Sequence, residues 1–162
     1  MIGLRESTFD DLELLYAWAN DPDTRRNSVH SKPIPFDDHV VWLVGIIEDP
    51  LRLSWIAHAD WTDIGTVSLD CRSSVKAKSS SPNRNLTRHG RVSITVAPIC
   101  RGQGYATPIL KAACRKAKVL GVPTLEAVVK ATNGASLSAF RSCGFWVSHK
   151  NRNGLWTLDY RL

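Results

Sequence analysis

No stretch of this 162-residue chain approaches the roughly twenty consecutive apolar residues of a membrane-spanning helix. The opening Met1-Ile2-Gly3-Leu4-Arg5-Glu6 also lacks the basic-then-apolar form of an export signal, so the expectation is a soluble, cytoplasmic protein. Cysteine is sparse. The four thiols, at 71, 100, 114 and 143, lie too far apart for a CxxC knuckle and are too few for a disulfide framework at this length. They read as reduced and mostly buried, and no metal site is expected. Carboxylates are missing from a whole segment: residues 71–125 hold 11 basic side chains and no acidic one. Residues 1–70 hold 5 basic and 13 acidic side chains, and residues 126–162 hold 5 and 2. A carboxylate-free stretch of that length attracts a polyanion, whether nucleic acid, a membrane surface or a multiply phosphorylated cofactor.

What is present fits one compact domain over residues 1–162, with 43% apolar and 22% charged residues. Ile2 to Glu6 reads as a strand. Ser7 or Thr8 then caps a helix carrying Leu12, Leu15 and Ala19 at helical spacing, with Asp10, Asp11 and Glu13 at its positive end and Asp21-Pro22 as its stop. A second helix is expected from about Asp37 to Glu48, capped by Asp37 or Asp38, and a hairpin from Leu53–His58 and Asp63–Asp70. Residues 72–89 are basic and of low complexity, which predicts a mobile loop; the Asn85-Leu86-Thr87 sequon inside it has no meaning without export.

The chemistry begins after Arg91. Val92 to Ala97 alternates as a strand does, and Pro98 ends its pairing. Arg101-Gly102-Gln103-Gly104-Tyr105-Ala106 follows, then a helical pattern to about Leu120 that Gly121-Val122-Pro123 stops. Glycines let several N–H groups converge, and the helix start adds partial positive charge, a combination that suits a diphosphate. A P-loop is excluded because no GxxxxGK[ST] occurs, and a dinucleotide GxGxxG fails because Thr107 stands where its third glycine belongs.

These residues resemble the GNAT family of acyl-CoA-dependent N-acetyltransferases. Arg101-x-x-Gly104-x-Ala106 matches that family's Q/R-x-x-G-x-G/A motif, and Val92 to Pro98 is similar to its central strand. Leu125–Val129, Asn133-x-x-Ser136 and Phe140-x-x-x-Gly144-Phe145 resemble its next strand, last helix and following turn, so the likeness covers about residues 90–146. The N-terminal part, with Arg25 and His39-x-x-Trp42, is similar to acetyltransferases acting on nucleotide-linked amino sugars, as in the pseudaminic acid pathway. The resemblance implies a mixed, mostly antiparallel α/β sheet of six or seven strands, splayed between strands four and five and flanked by about four helices. The last two strands are placed at Phe145–His149 and Leu155–Arg161. It implies acetyl-CoA as co-substrate, with the Ile94 N–H meeting the oxyanion and Val96 pairing with the pantetheine arm. Arg101, Gly102, Gln103, Gly104, Tyr105, Ala106 and Thr107 would hold the diphosphate.

Asn133 is a natural helix cap and, by resemblance, also a contact of the cofactor arm, alongside Ser136. Phe140 stands where many relatives carry a tyrosine whose phenol protonates the leaving thiolate, and phenylalanine cannot do this. Candidate general bases near the strand opening are His89, Asp70 and Glu126, each of which also has a structural reading, and a chain of waters would replace all three. Arg25, His30 and His39 are the candidates for the acceptor, with Arg26 as a plain surface charge; Trp42 and Trp55 read as core. Three functions stay open: acetylation of an amino-sugar nucleotide, acetylation of a ribosomal-protein-type N-terminus, and a non-catalytic CoA- or nucleic-acid-binding module. Residues 72–89 lack the aromatics that would stack on bases, which disfavours nucleic acid. No membrane partner is expected, and a homodimer remains open.

Overall fold

The computed structural model describes residues 2–71 and 89–162. The expected loop and its sequon therefore lie outside the described residues, apart from His89. Seven strands form one sheet in the order β1-β2-β3-β4-β5-β7-β6, with β1 Ile2–Glu6, β2 Arg52–Ala59, β3 Thr62–Asp70, β4 His89–Val96, β5 Thr124–Lys130, β6 Trp146–Lys150 and β7 Leu155–Arg161. All neighbours are antiparallel except β4 and β5. Five α-helices flank the sheet: α1 Leu12–Asn20, α2 Pro22–Asn27, α3 Phe36–Glu48, α4 Ala106–Val119 and α5 Gly134–Ser142.

Period-2 alternation makes the two faces of the sheet chemically different. Val67, Leu69, Val92, Leu125, Ala127, Val129 and Leu158 are buried on one face, with Ile109 and Leu110 of α4 packed among them. The opposite face carries Ser54, Thr66, Ser68, Ser93 and Thr95, hydroxyls that sit in cross-strand register. α3 buries His39, Leu43 and Ile46 at i, i+4 and i+7 and packs against β2. Hydroxyl side chains make a poor core, so this second face is left as the floor of a cleft.

The structure adds a helix that the sequence reading omits. Pro22 ends α1 but also begins α2, since proline is tolerated at a first helical position, and the Asp21 carboxylate caps it by accepting from the Thr24 N–H at 3.0 Å. The described residues thus form five α-helices where about four were expected. α3 starts after Pro35 with no side-chain cap, so Asp37 and Asp38 sit in its first turn instead of capping it. Thr8 leads into a 3-10 turn, Phe9–Asp11, before α1, and its N–H donates to Asp11 at 2.9 Å. β6 begins at Trp146, one residue later than expected.

Asp11 anchors this N-terminal unit. Arg5 on β1 donates twice to its carboxylate, at 2.8 and 2.9 Å, and once to Asp63 on β3 at 3.0 Å. The Arg5 hydrogen bonds hold the Asp11 carboxyl below the usual carboxylate range despite its burial. Asp11→Asn is expected to cost about 1–3 kcal/mol at pH 7, measured by urea unfolding. A native pKa below the unfolded one gives stabilisation that is complete above the unfolded value and lost as pH falls through the native value. Wild type and variant should therefore converge in acid; a gap that persists there would show that the contribution is not ionic.

Candidate active site

The site originates where β4 and β5 part. These strands pair only through His89–Thr124, Gly90–Leu125 and Arg91–Glu126. Gly90 is needed at this pinch, because a Cβ there would lie 2.6 Å from Leu69 Cδ1 and 3.2 Å from Leu125 and Val122 side-chain atoms. Beyond Arg91 the strands diverge, while β4 stays paired to β3 as far as Val96 and β5 to β7 as far as Lys130. The Ala97 N–H donates to the Ile64 carbonyl at 2.9 Å, which fixes the phase of the β3–β4 ladder. By alternation Thr95, Ser93 and Arg91 bond to β3, and the N–H and C=O groups of Ile94 and Val96 face the opening. Buried or half-buried backbone groups of this kind need a partner.

At the open end of β4 a 3-10 turn, Pro98–Cys100, leads to the glycine turn and α4. Gly102 and Gly104 have φ of 74° and 81°, in the left-handed region, and nothing lies within 4 Å of where a Cβ would be built on either. The N–H groups of Gly102, Gln103, Gly104 and Tyr105 donate to no group among the described residues. These donors, together with the start of α4, surround open space. Not every motif side chain points there. Gln103 donates to the Ile99 carbonyl at 3.0 Å and closes the turn on itself, Tyr105 packs against the core, and Arg101 pairs with Asp21 at 2.6 Å.

A single cleft of about 1210 Å³ runs from this turn along the split and across the hydroxyl-lined floor to α1, α2 and α3. It brings together Ile94, Val96, Gly102, Gly104, Ala106, Thr107, Asn133, Ser136 and Phe140 with Arg25, His30 and His39. Asn133 acts as a cap, its Oδ1 accepting from the Ser136 N–H at 3.1 Å. Phe140 is buried edge-on to Phe145, whose ring stacks on Tyr160. Burial pushes the Cys114 thiol up to about 11, so it stays protonated at neutral pH.

The three candidate bases are placed elsewhere. His89, Asp70 and Glu126 lie at the closed end and do not line the cleft. Glu126 accepts from Arg91 at 2.7 and 3.0 Å and lies 3.5 Å from His89, which in turn meets the Thr124 hydroxyl at 3.0 Å. Strand ends that share a row in sequence terms do not share the cleft.

The α2–α3 side of the cleft carries two buried polar atoms with no partner among the described residues, Arg25 Nε and His39 Nε2. Arg25 directs its other nitrogens to the His30 and Lys32 carbonyls and the Ser28 hydroxyl, and has no carboxylate within ion-pair distance among the described residues. Burial draws its pKa down, yet an arginine remains charged. His39 is only 2% exposed, stacks on Trp42 and touches Tyr16. Burial lowers its pKa against a weaker opposing effect of the Leu12 carbonyl, so it is neutral at pH 7. A neutral imidazole has one acceptor nitrogen, and Nε2 is the ring nitrogen left without a partner among the described residues. The cleft thus pairs an uncompensated cation with a neutral acceptor. The family likeness of the N-terminal part singled out both residues, but their missing partners depend on the fold and have no signal in the sequence.

Comparison with known proteins agrees with this geometry. No curated protein matches the sequence significantly. Among solved structures, the chain is similar to spermidine N-acetyltransferase from Vibrio cholerae in complex with CoA and spermine, with TM-score 0.81, 18% identity and coverage of 99% of this chain and 95% of that one. It is similar also to ribosomal-protein-alanine N-acetyltransferase from Brucella melitensis, with TM-score 0.75 and 22% identity, and to Campylobacter jejuni N-acetyltransferase PseH in complex with acetyl coenzyme A, with TM-score 0.69 and 16% identity; each covers 99% of both chains. At these identities the likeness is one of fold. The family model for the acetyltransferase (GNAT) domain matches residues 2–146, nearly the whole chain, and the protein belongs to that family.

Proposed function

We propose that this protein transfers an acetyl group from acetyl-CoA to a primary amine, with both substrates held in the one cleft, and that the amine is carried by a sugar nucleotide. The observation that supports this reading most is the adjacency of unpaired backbone on β4 to a glycine turn full of unpartnered N–H groups. A diphosphate fits the turn, and an amide-bearing arm fits the strand as an added strand would. Acetyl-CoA supplies an acyl group on a good leaving thiol. The chain supplies position and polarisation: Gly102 to Thr107 grip the diphosphate, Val96 pairs with the arm, and Ile94 donates to the carbonyl oxygen as it gains charge. Arg101, Gln103 and Tyr105 shape the turn, and Asn133, Ser136 and Phe140 wall the arm.

Proton removal falls to water. His89, Asp70 and Glu126 sit outside the cleft lining, whereas the cleft floor offers the hydroxyls of Ser54, Ser68 and Ser93 to ordered water. Phe140 gives no acid, and a thiolate near neutral pH needs none.

The acceptor assignment rests on Arg25 and His39. A half-buried guanidinium without a counter-ion is relieved by an anion, and a nucleotide-linked sugar brings a diphosphate together with hydroxyl donors for His39 Nε2. His30, exposed on the rim, completes that side.

Calorimetry with acetyl-CoA should give saturable heat and a raised melting temperature, and CoA release should then require a UDP-linked amino sugar. No heat with acetyl-CoA would remove the enzyme reading; release with peptide amines alone would move the acceptor to a protein N-terminus. Gly104→Val adds strain and a side chain in the open cradle, so CoA affinity should fall more than about tenfold while the fold persists. Arg25→Gln should raise the acceptor KM about tenfold and leave CoA affinity unchanged. An equal loss of both would place Arg25 outside acceptor recognition.

A further inference from the structure

α2 is six residues long and buries no side chain, so apolar packing does not hold it. It is held by polar contacts to both lips of the split. On the β4 side, Arg101 reaches it with one nitrogen 2.6 Å from Asp21 and 2.8 Å from the Thr24 hydroxyl, and another 3.5 Å from Asp23. On the β5 side, Lys130 donates to the Arg26 carbonyl at 2.7 Å. Arg101 begins the glycine turn and Lys130 ends β5, so α2 bridges two strands that have no backbone pairing at this level. Arg25, the orphan cation of the acceptor side, lies between the two anchor points.

We propose that α2 is a strap whose position is set by the glycine turn, so that filling the turn fixes Arg25 and readies the cleft for the acceptor. Asp21, Arg101 and Lys130 are then positioning residues. The inference rests on the donor and acceptor assignments above and adds their coupling.

The physical argument has two parts. The first is charge: Asp21 and Asp23 beside a diphosphate site would repel the ligand, and Arg101, held between them and the turn, neutralises that repulsion. Burial disfavours ionised Asp21, but the Thr24 N–H and Arg101 outweigh it and hold its pKa below the ordinary value, so the contact is intact at neutral pH. The second is order. A turn with two left-handed glycines and unbonded N–H groups is soft, and a diphosphate that accepts those N–H groups stiffens it. Arg101 passes the stiffening to α2, and the acceptor then meets a helix already in place. By linkage the acceptor must tighten CoA by the same factor.

Hydrogen exchange at the Arg25 and Ser28 amides, which donate to the Asp21 and Thr24 carbonyls, reads the strap directly. Saturating CoA should slow their exchange about tenfold in the wild type. Asp21→Asn on one lip and Lys130→Met on the other should each remove most of that slowing, with CoA affinity held within about threefold, and raise the KM for a UDP-linked amino sugar about tenfold with kcat little changed. Should one variant fold poorly, the other reports the same effect from the opposite lip. An Asp21→Asn, Arg101→Gln double variant should be no worse than Arg101→Gln alone, since Asp21 then has no Arg101 left to lose. CoA binding with no change in α2 exchange would overturn the strap alone, as would tighter CoA binding by Asp21→Asn, which would show Arg101 turning to the diphosphate. Failure of CoA to bind would overturn the donor assignment and the strap together.

Discussion

The structure turns on a sheet that stops pairing. Three residues of β4 and β5 are joined, and past Arg91 the two strands go their own ways, each still fastened to its outer neighbour. A backbone edge of this kind is normally avoided because it exposes polar groups with no partner. Here the edge is internal, sheltered by α1 to α3 on one side and α4 and α5 on the other, so a small ligand rather than another protein strand is the natural occupant. The glycine turn sits at the open end of the same edge, which aligns a phosphate cradle with a strand-shaped groove.

Charge follows the same geometry. The cations along the cleft are mostly answered: Arg91 by Glu126, Arg101 by Asp21 and Asp23, Arg26 by Asp23. Arg25 has no carboxylate partner among the described residues, and it lines the same cleft as His39, a histidine whose pKa burial lowers. The basic excess seen along the sequence therefore does not translate into a uniformly positive cleft.

Much of the fold was legible because its signals are local. Alternation marked β4, a β-rich run marked β3, and the glycines at 102 and 104 marked a turn that needs left-handed backbone, which the structure has. The breakpoint between β4 and β5 came from family likeness, since nothing in either strand alone announces where pairing ends. Errors arose where one residue carries two meanings. Pro22 stops one helix and starts another, and Asp37 and Asp38 look like caps but lie inside the first turn of α3. The candidate bases were named for nearness to the opening between the central strands, and register places them at the paired end of the split instead. Arg101 matched a phosphate motif, yet its side chain is engaged 77 positions away along the chain, with Thr24.

The strand order β5-β7-β6 has a bearing on assembly. β7 inserts between its two predecessors, so β5 gains full-length pairing only when β7 arrives, having met β4 over three residues alone. Within the β1–β4 half only β2 and β3 form a local hairpin, whereas the far wall needs β7 to insert between β5 and β6. The outer margin of β5, one wall of the groove, therefore depends for its pairing on Leu155–Arg161.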